Sequence, residues 1–187
     1  MTEKKTYFEY VKEISEILNE ELFLKITSLK DEILTCHNDG KKIFICGNGG
    51  SASNSTHIEN DMVYGLRSKN IPNGLNIESL SSNSSVITCL ANDVGYDFIF
   101  SEQLISKAQK NDLLIVLSGS GNSKNILNAL NTAKKLNLKT FSLLGFDGGD
   151  AIKISEKNIH IKSYNMQVVE DIHMIIFHLI TRFLSSK

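Results

Sequence analysis

The chain has 187 residues, a net charge of −1 and 41% hydrophobic residues. This length supports one sizeable core and is short for two domains, so we expect a single domain over residues 1–187. Lys and Arg are scattered rather than clustered, which argues against a nucleic-acid-binding surface. No segment reaches the roughly 20 apolar residues of a transmembrane helix, and the charged start of the chain lacks signal-peptide character.

The three cysteines, Cys36, Cys46 and Cys89, show neither a pairing pattern nor metal-ligand spacing. Two of them lie among apolar neighbours, which is typical of thiols in a reducing compartment. We therefore expect a cytoplasmic protein with no membrane partner.

The first 40 residues predict a helical N-terminal extension. Between residues 7 and 36, apolar side chains recur at three- and four-residue steps, as they do on one face of a helix or of a helical pair. The polar turn at residues 37–40 ends this stretch.

The remainder alternates between strands and helices. Apolar runs predict strands at residues 42–46, 75–79, 113–117, 139–144 and, weakly, 158–161. Helical patterns fall at residues 51–64, 81–91, 98–108, 122–136 and 167–184, with a loop at 67–74 and a turn at 92–97. This alternation predicts an α/β fold, a three-layer αβα sandwich with a five-stranded parallel sheet.

Two glycine- and serine-rich turns follow the first and third predicted strands. They are Gly47-Asn48-Gly49-Gly50-Ser51 and Ser118-Gly119-Ser120-Gly121-Asn122-Ser123. Each leads into a predicted helix, whose first backbone N–H groups can hold a phosphate without a cationic side chain. One such turn is also compatible with an ordinary connection, but two at the same edge of a sheet favour a phosphosugar site.

Histidines and carboxylates recur on two predicted helices. His57 and Asp61 are four residues apart and share a helix face. Glu170 and His178 are eight residues apart on the last helix, about 80° around its axis. Together they could form a divalent-metal site, although such side chains on helices commonly serve as caps or exposed pairs.

These motifs, in this order, resemble the sugar isomerase (SIS) domain family and, within it, the phosphoheptose isomerases. The resemblance covers nearly the whole chain and implies the flavodoxin-like SIS fold. It rests on residues 46–53, His57, Ala91-Asn92-Asp93 with Gly95, residues 118–123 and 145–149, and Glu170-Asp171-Ile172-His173 with His178.

The resemblance implies a role for each matched residue. It assigns the phosphate to Ser51, Ser118, Ser120 and Ser123, and the sugar to Asn48, Gly49, Gly50, Asn92 and Asp93. Gly119 and Glu170 also belong to the predicted substrate site. The implied metal is zinc, held by His57, Asp61, Glu170 and His178.

Three positions depart from the family's pattern. Asp61 replaces a longer glutamate, Glu170 replaces a glutamine, and Gly119 replaces a threonine between the first two serines of the second turn. The family's arginine shortly after the first helix has no clear counterpart, since Arg67 is displaced. The first two changes leave a more anionic set of metal ligands.

The implied reaction is the aldose–ketose interconversion of sedoheptulose 7-phosphate through a cis-enediol. A carboxylate, Glu170 or Asp61, is the candidate base, and His178 is the candidate acid. A bound cation would stabilise the enediolate. The product, D-glycero-D-manno-heptose 7-phosphate, would supply heptose to bacterial surface polysaccharides such as lipopolysaccharide and capsule.

Two other functions remain open at this stage. Some members of the same subfamily are non-catalytic phosphosugar-binding proteins, including one associated with the bacterial replication initiator. The phosphate turns are also compatible with an isomerase or a sensor of a hexose phosphate.

The amphipathic N-terminal stretch and the apolar last helix offer more apolar surface than one small sheet requires, which predicts that helices pack between subunits. The resemblance implies a homotetramer, whereas in the alternative arrangement both segments cover only their own sheet.

Overall fold

The computed structural model describes residues 2–67 and 71–185. Within them, five parallel strands form one sheet in the order β2-β1-β3-β4-β5, which is the flavodoxin-like order. The prediction of a five-stranded parallel sheet is confirmed. The strands are β1 (Ile43–Gly47), β2 (Ile77–Ser79), β3 (Leu113–Ser118), β4 (Lys139–Leu144) and β5 (Lys157–His160).

Helices cover both faces of the sheet. They are α1 (Glu3–Ile17), α2 (Glu20–Asn38), α3 (Gly50–Asn60), α4 (Ser84–Asp93), α5 (Ser101–Lys107), α6 (Lys124–Lys135), α7 (Ala151–Ile154) and α8 (Met166–Ser185). A π-helical turn (Asp61–Gly65) continues α3, and a 3-10 turn (Tyr96–Phe98) precedes α5. None of the described helices combines the length and apolar character needed to cross a membrane.

The N-terminal stretch is the helical pair that the sequence left open beside a single helix, because the side chain of Asn19 caps α2 by accepting a hydrogen bond from the Leu22 N–H. Other boundaries differ from the predictions. The cap at Asn83 likewise delays the start of α4 to Ser84. The short helix α7 was not predicted, and residues 68–70 of the predicted 67–74 loop lie outside the described residues.

The two faces of the sheet have separate cores. On one face, α2, α3 and α8 pack against side chains such as Ile45, Ile115 and Leu143. On the other, α5 and α6 cover Phe44, Val116 and their neighbours. The result is the three-layer sandwich predicted from the alternation of strands and helices.

Helix α1 docks on the outside of α8 through polar and apolar contacts. Tyr10 donates a hydrogen bond to Asp171 on α8 at 2.5 Å, and Ser163 donates one to Glu13 at 2.5 Å. Burial, followed by the Asp171 hydrogen bond, raises the pKa of Tyr10 to about 12. No residue of α1 is fully buried in the monomer. Ile14 and Ile17 are partly buried against the core, whereas Tyr7, Phe8 and Val11 are exposed.

Strands β1 and β3 are neighbours and pair in parallel, with Gly47 opposite Leu117. Between them the chain order reverses, since β2 lies outside β1 and β4 lies outside β3. The helices that follow, α3 and α6, therefore begin side by side at one edge of the sheet.

His173 is the most deeply buried ionisable side chain of α8. It is fully buried, and neither ring nitrogen has a hydrogen-bond partner within the described residues. Burial lowers the pKa of His173 from 6.5 to about 3, because the apolar surroundings disfavour the imidazolium.

This histidine should make folding stability dependent on pH. The pKa of His173 is depressed in the folded state, so below pH 6.5 the unfolded chain binds a proton at this residue that the folded chain does not bind. The free energy of unfolding should then fall by about 2 kcal/mol between pH 8 and pH 5 from this residue alone. Urea denaturation of the wild type and of His173→Leu at both pH values tests this. In His173→Leu the fall in the free energy of unfolding between pH 8 and pH 5 should be smaller by about 2 kcal/mol. Equal falls in both proteins would contradict this role of His173.

Candidate functional site

A cavity of about 260 Å³ lies between the N-termini of α3 and α6, at the carboxyl ends of β1 and β3. The two predicted turns, the end of β3 and the start of α8 supply its lining: Asn48, Gly49, Gly50, Ser51, Leu117, Ser118, Gly119, Ser120, Ser123, Met166 and Glu170. The structure thus brings the two predicted turns together at one cavity.

The walls of the cavity suit an anion. The first N–H groups of α3 and α6 lack intrahelical acceptors, and both helix dipoles are positive at this end. Ser118 Oγ accepts a hydrogen bond from the Gly121 N–H at 3.0 Å, and Ser120 Oγ accepts one from the Asn122 N–H at 3.2 Å. Each of these hydroxyls therefore keeps its own proton to donate to a ligand.

Of the described residues that line the cavity, Glu170 is the one that is ionisable. Its carboxylate lies against the backbone of Gly50, where an added Cβ would come within 2.3 Å of Oε1. Asn54 holds this part of α8 by donating a hydrogen bond to the Glu170 carbonyl at 3.0 Å. Glycine at position 50 thus makes room for a carboxylate at the N-terminus of α3.

Met166, one helical turn before Glu170, covers the second turn of the cavity. A Cβ at Gly119 would lie 2.4 Å from the Met166 sulfur. The space beside position 119 is therefore filled by a thioether from α8. Sequence reasoning missed Met166, because nothing in the local sequence indicates this contact.

A second group of polar side chains lies further along α3 and α8. Asp61 Oδ2 is 3.3 Å from His57 Nε2 and 3.7 Å from His178 Nε2. The two histidine nitrogens are 3.4 Å apart. We call this group the His57–Asp61–His178 triad; its three ligand atoms face one another.

The triad fits a divalent metal ion. Ligands placed tetrahedrally at about 2.0–2.1 Å from zinc lie about 3.3 Å from one another, close to the three separations observed. Two imidazoles and a carboxylate are also donors that zinc and similar ions accept. Three protein ligands leave a fourth position open.

Glu170 is not part of the triad. Eight residues of helix place it about 12 Å from His178 along the axis of α8. The structure thus brings together three of the four predicted metal ligands and leaves the fourth at the cavity.

Asn92 and Asp93 are exposed at the end of α4 and do not line the cavity. Asn92 donates a hydrogen bond to Asp93 at 2.8 Å, and the Cys89 thiol donates one to the same carboxylate at 3.4 Å. The displaced Arg67 lies over the Tyr64 ring, 5.0 Å from its centroid.

Comparison with known proteins identifies the class. A family model described as "SIS domain" matches residues 6–145. A phosphoheptose isomerase from Helicobacter pylori is 41% identical over 150 residues, which are 79% of this chain and 76% of that protein. One from Sulfurimonas denitrificans is 37% identical over 164 residues, 87% of this chain and 82% of the relative.

Solved structures agree with the sequence relatives. A phosphoheptose isomerase from Francisella tularensis superposes with a TM-score of 0.87 at 26% identity over the whole of both chains. The phosphoheptose isomerase GmhA from Neisseria gonorrhoeae superposes with a TM-score of 0.89 at 24% identity, covering 98% of this chain and 97% of that one. The chain belongs to the SIS domain family and, within it, to the phosphoheptose isomerase group.

Metal binding should depend on the triad and not on Glu170. In calorimetric titration of chelator-stripped protein with Zn²⁺ at pH 7.5, we expect His57→Ala and His178→Ala to weaken binding by about 100-fold or more, since each removes one of three ligands. Glu170→Ala should change the affinity by less than about 3-fold. A loss in Glu170→Ala as large as that in His57→Ala would make Glu170 a ligand and contradict the separation seen here.

Proposed function

We propose that the chain isomerises sedoheptulose 7-phosphate to D-glycero-D-manno-heptose 7-phosphate. The observation that carries this proposal is the cavity between the N-termini of α3 and α6, with the Glu170 carboxylate on its wall and the His57–Asp61–His178 triad on the same two helices. The phosphoheptose isomerases that the chain resembles point to the same substrate class.

The two turns hold the phosphate. Backbone N–H groups of α3 and α6, together with the hydroxyls of Ser51, Ser118, Ser120 and Ser123, provide donors for its oxygens. Among the described residues no lysine or arginine lines the cavity, so the helix dipoles and these hydrogen bonds carry the attraction.

Glu170 acts as the base. Neither oxygen of its side chain has a hydrogen-bond or ion-pair partner among the described contacts, whereas Asp61 lies between two imidazoles. Glu170 removes a proton from C1 of the ketose and returns it to C2, while the O1 hydroxyl proton passes to O2. These two proton transfers convert the ketose into the aldose without any other reactant.

The triad would hold zinc. When bound, the ion supplies a Lewis acid that stabilises negative charge on an enediolate oxygen. His57 and His178 direct Nε2 toward Asp61, and a nitrogen that binds a metal has no proton to donate. While it serves as a ligand, His178 therefore cannot act as an acid through Nε2.

The protein assembles as a homotetramer in the cytoplasm, where its product supplies heptose for lipopolysaccharide or capsule. Exposed Tyr7, Phe8 and Val11 on α1 and Phe23 and Leu24 on α2 support subunit packing, since soluble monomers rarely leave large apolar patches exposed. All three cysteines are free, as suits a reducing compartment.

The mass of the protein in solution tests the proposed homotetramer. Light scattering at micromolar concentration should give four times the chain mass of 20.8 kDa. A monomer under these conditions would contradict the proposed packing.

The isomerisation is tested by proton NMR of sedoheptulose 7-phosphate in deuterated buffer, with added zinc and with a chelator. We expect the aldose phosphate to form, deuterium to enter at the reacting carbons, and chelation to stop both. Binding without aldose or deuterium uptake would instead favour the non-catalytic phosphosugar-binding function. Turnover of a hexose phosphate in preference to the heptose phosphate would identify a hexose phosphate as the substrate.

Two variants test Glu170 as the base. Glu170→Gln, which removes the carboxylate and keeps the size of the side chain, should lower kcat by about 1,000-fold while zinc stays bound. Gly50→Ala should displace the carboxylate and lower activity by about 100-fold. The control Gly65→Ala adds a Cβ where nothing lies within 4 Å and should leave activity unchanged. Full activity in Glu170→Gln would transfer the base to another group.

A further inference from the structure

Asn48 and Asn125 form a reciprocal amide pair across the cavity's two turns. Asn48 Nδ2 donates a hydrogen bond to Asn125 Oδ1 at 2.9 Å, and Asn125 Nδ2 donates one to Asn48 Oδ1 at 2.8 Å. Asn48 belongs to the first glycine- and serine-rich turn. Asn125 is the second residue of α6, the helix that directly follows the second glycine- and serine-rich turn. Asn125 is only 2% exposed, so the pair is largely shielded from competing water.

Tyr96 adds a third segment to this pair. Its hydroxyl donates a hydrogen bond to Asn48 Oδ1 at 2.9 Å. The 3-10 turn that carries Tyr96 is itself held by α6, because Asn128 donates a hydrogen bond to the Asp97 carbonyl at 2.8 Å. Three segments distant in sequence therefore converge on one carboxamide.

These bonds leave Asn48 a single free hydrogen-bonding group. Its oxygen has two lone pairs, which are taken by Asn125 and Tyr96. Its nitrogen has two protons, one of which is donated to Asn125. One N–H remains, so toward a ligand Asn48 is a donor and not an acceptor.

We propose that Asn125, assisted by Tyr96, is a positioning residue that fixes the spacing of the two phosphate-binding turns through Asn48. Two parallel hydrogen bonds between planar amides fix both distance and orientation. A phosphate that contacts both turns needs their donors at one separation, and the amide pair sets that separation before the ligand arrives. This inference rests on the phosphosugar site proposed above.

The test measures phosphate affinity separately from catalysis. Binding of inorganic phosphate to the full chain is measured by calorimetry, and steady-state kinetics use sedoheptulose 7-phosphate. Asn125→Ala should raise the Kd for phosphate by about 10-fold and raise KM similarly, with kcat within about 2-fold. Tyr96→Phe, which removes one hydroxyl from a half-exposed side chain, should raise both by about 3-fold.

A control and a double variant separate positioning from general stability. Asn131→Ala makes the same substitution at an exposed position of α6 and should leave Kd and KM unchanged. Asn48→Ala combined with Asn125→Ala should weaken phosphate binding no more than Asn48→Ala alone, because both variants remove one shared interaction.

The remaining outcomes are also decisive. A lower melting temperature in Asn125→Ala with an unchanged Kd for phosphate would make the amide pair purely structural and overturn the proposal. If Asn125→Ala does not fold, an unchanged Kd for phosphate in Tyr96→Phe would overturn the proposal. A wild type that binds phosphate but does not isomerise the heptose would overturn the proposed reaction, while the phosphate series would still test the amide pair. A wild type that does not bind phosphate would overturn both.

Discussion

The adjacency of β1 and β3 is the constraint on which the site depends. Because the chain order reverses between these strands, two helices start next to each other with their free N–H groups directed to one side of the sheet. Neither turn alone surrounds a ligand. Their side-by-side placement creates a cavity that attracts an anion, although the one ionisable residue that lines it in the described part of the chain is Glu170.

Helix α8 adds the chemistry that these turns lack. It runs beside α3, with Glu170 against Gly50 near the start of both helices and His178 against His57 further along. A helix rises about 1.5 Å per residue, so the Glu170–Gly50 contact lies nearer the start of the two helices than the His57–His178 pair. In this arrangement the Glu170 carboxylate lies outside the triad.

The sequence predicted the features that depend on local patterns. Continuous apolar runs predicted the strands, and the glycine- and serine-rich turns predicted the cavity, because both signals lie within a few neighbouring residues. The contacts that refine the site do not have this property. Asn125 pairs with Asn48 from 77 residues away, and Tyr96 joins them from a segment predicted only as a turn. The position of Glu170 outside the triad depends on the rotation and neighbours of α8, which spacing along one helix does not determine.

Gly119 and Met166 show how a departure from the family's pattern can be accommodated. The resemblance gives the family a threonine at position 119, but the Met166 sulfur lies where even a Cβ would stand. A threonine at position 119 would clash with Met166 in this conformation. Gly119 and Met166 are therefore compatible with each other only as a pair. The wall of the cavity at this point is consequently a flexible thioether from α8 rather than a hydroxyl from the turn. Since Glu170 lies one helical turn further along the same face, the position of α8 determines both the shape of this wall and the placement of the carboxylate.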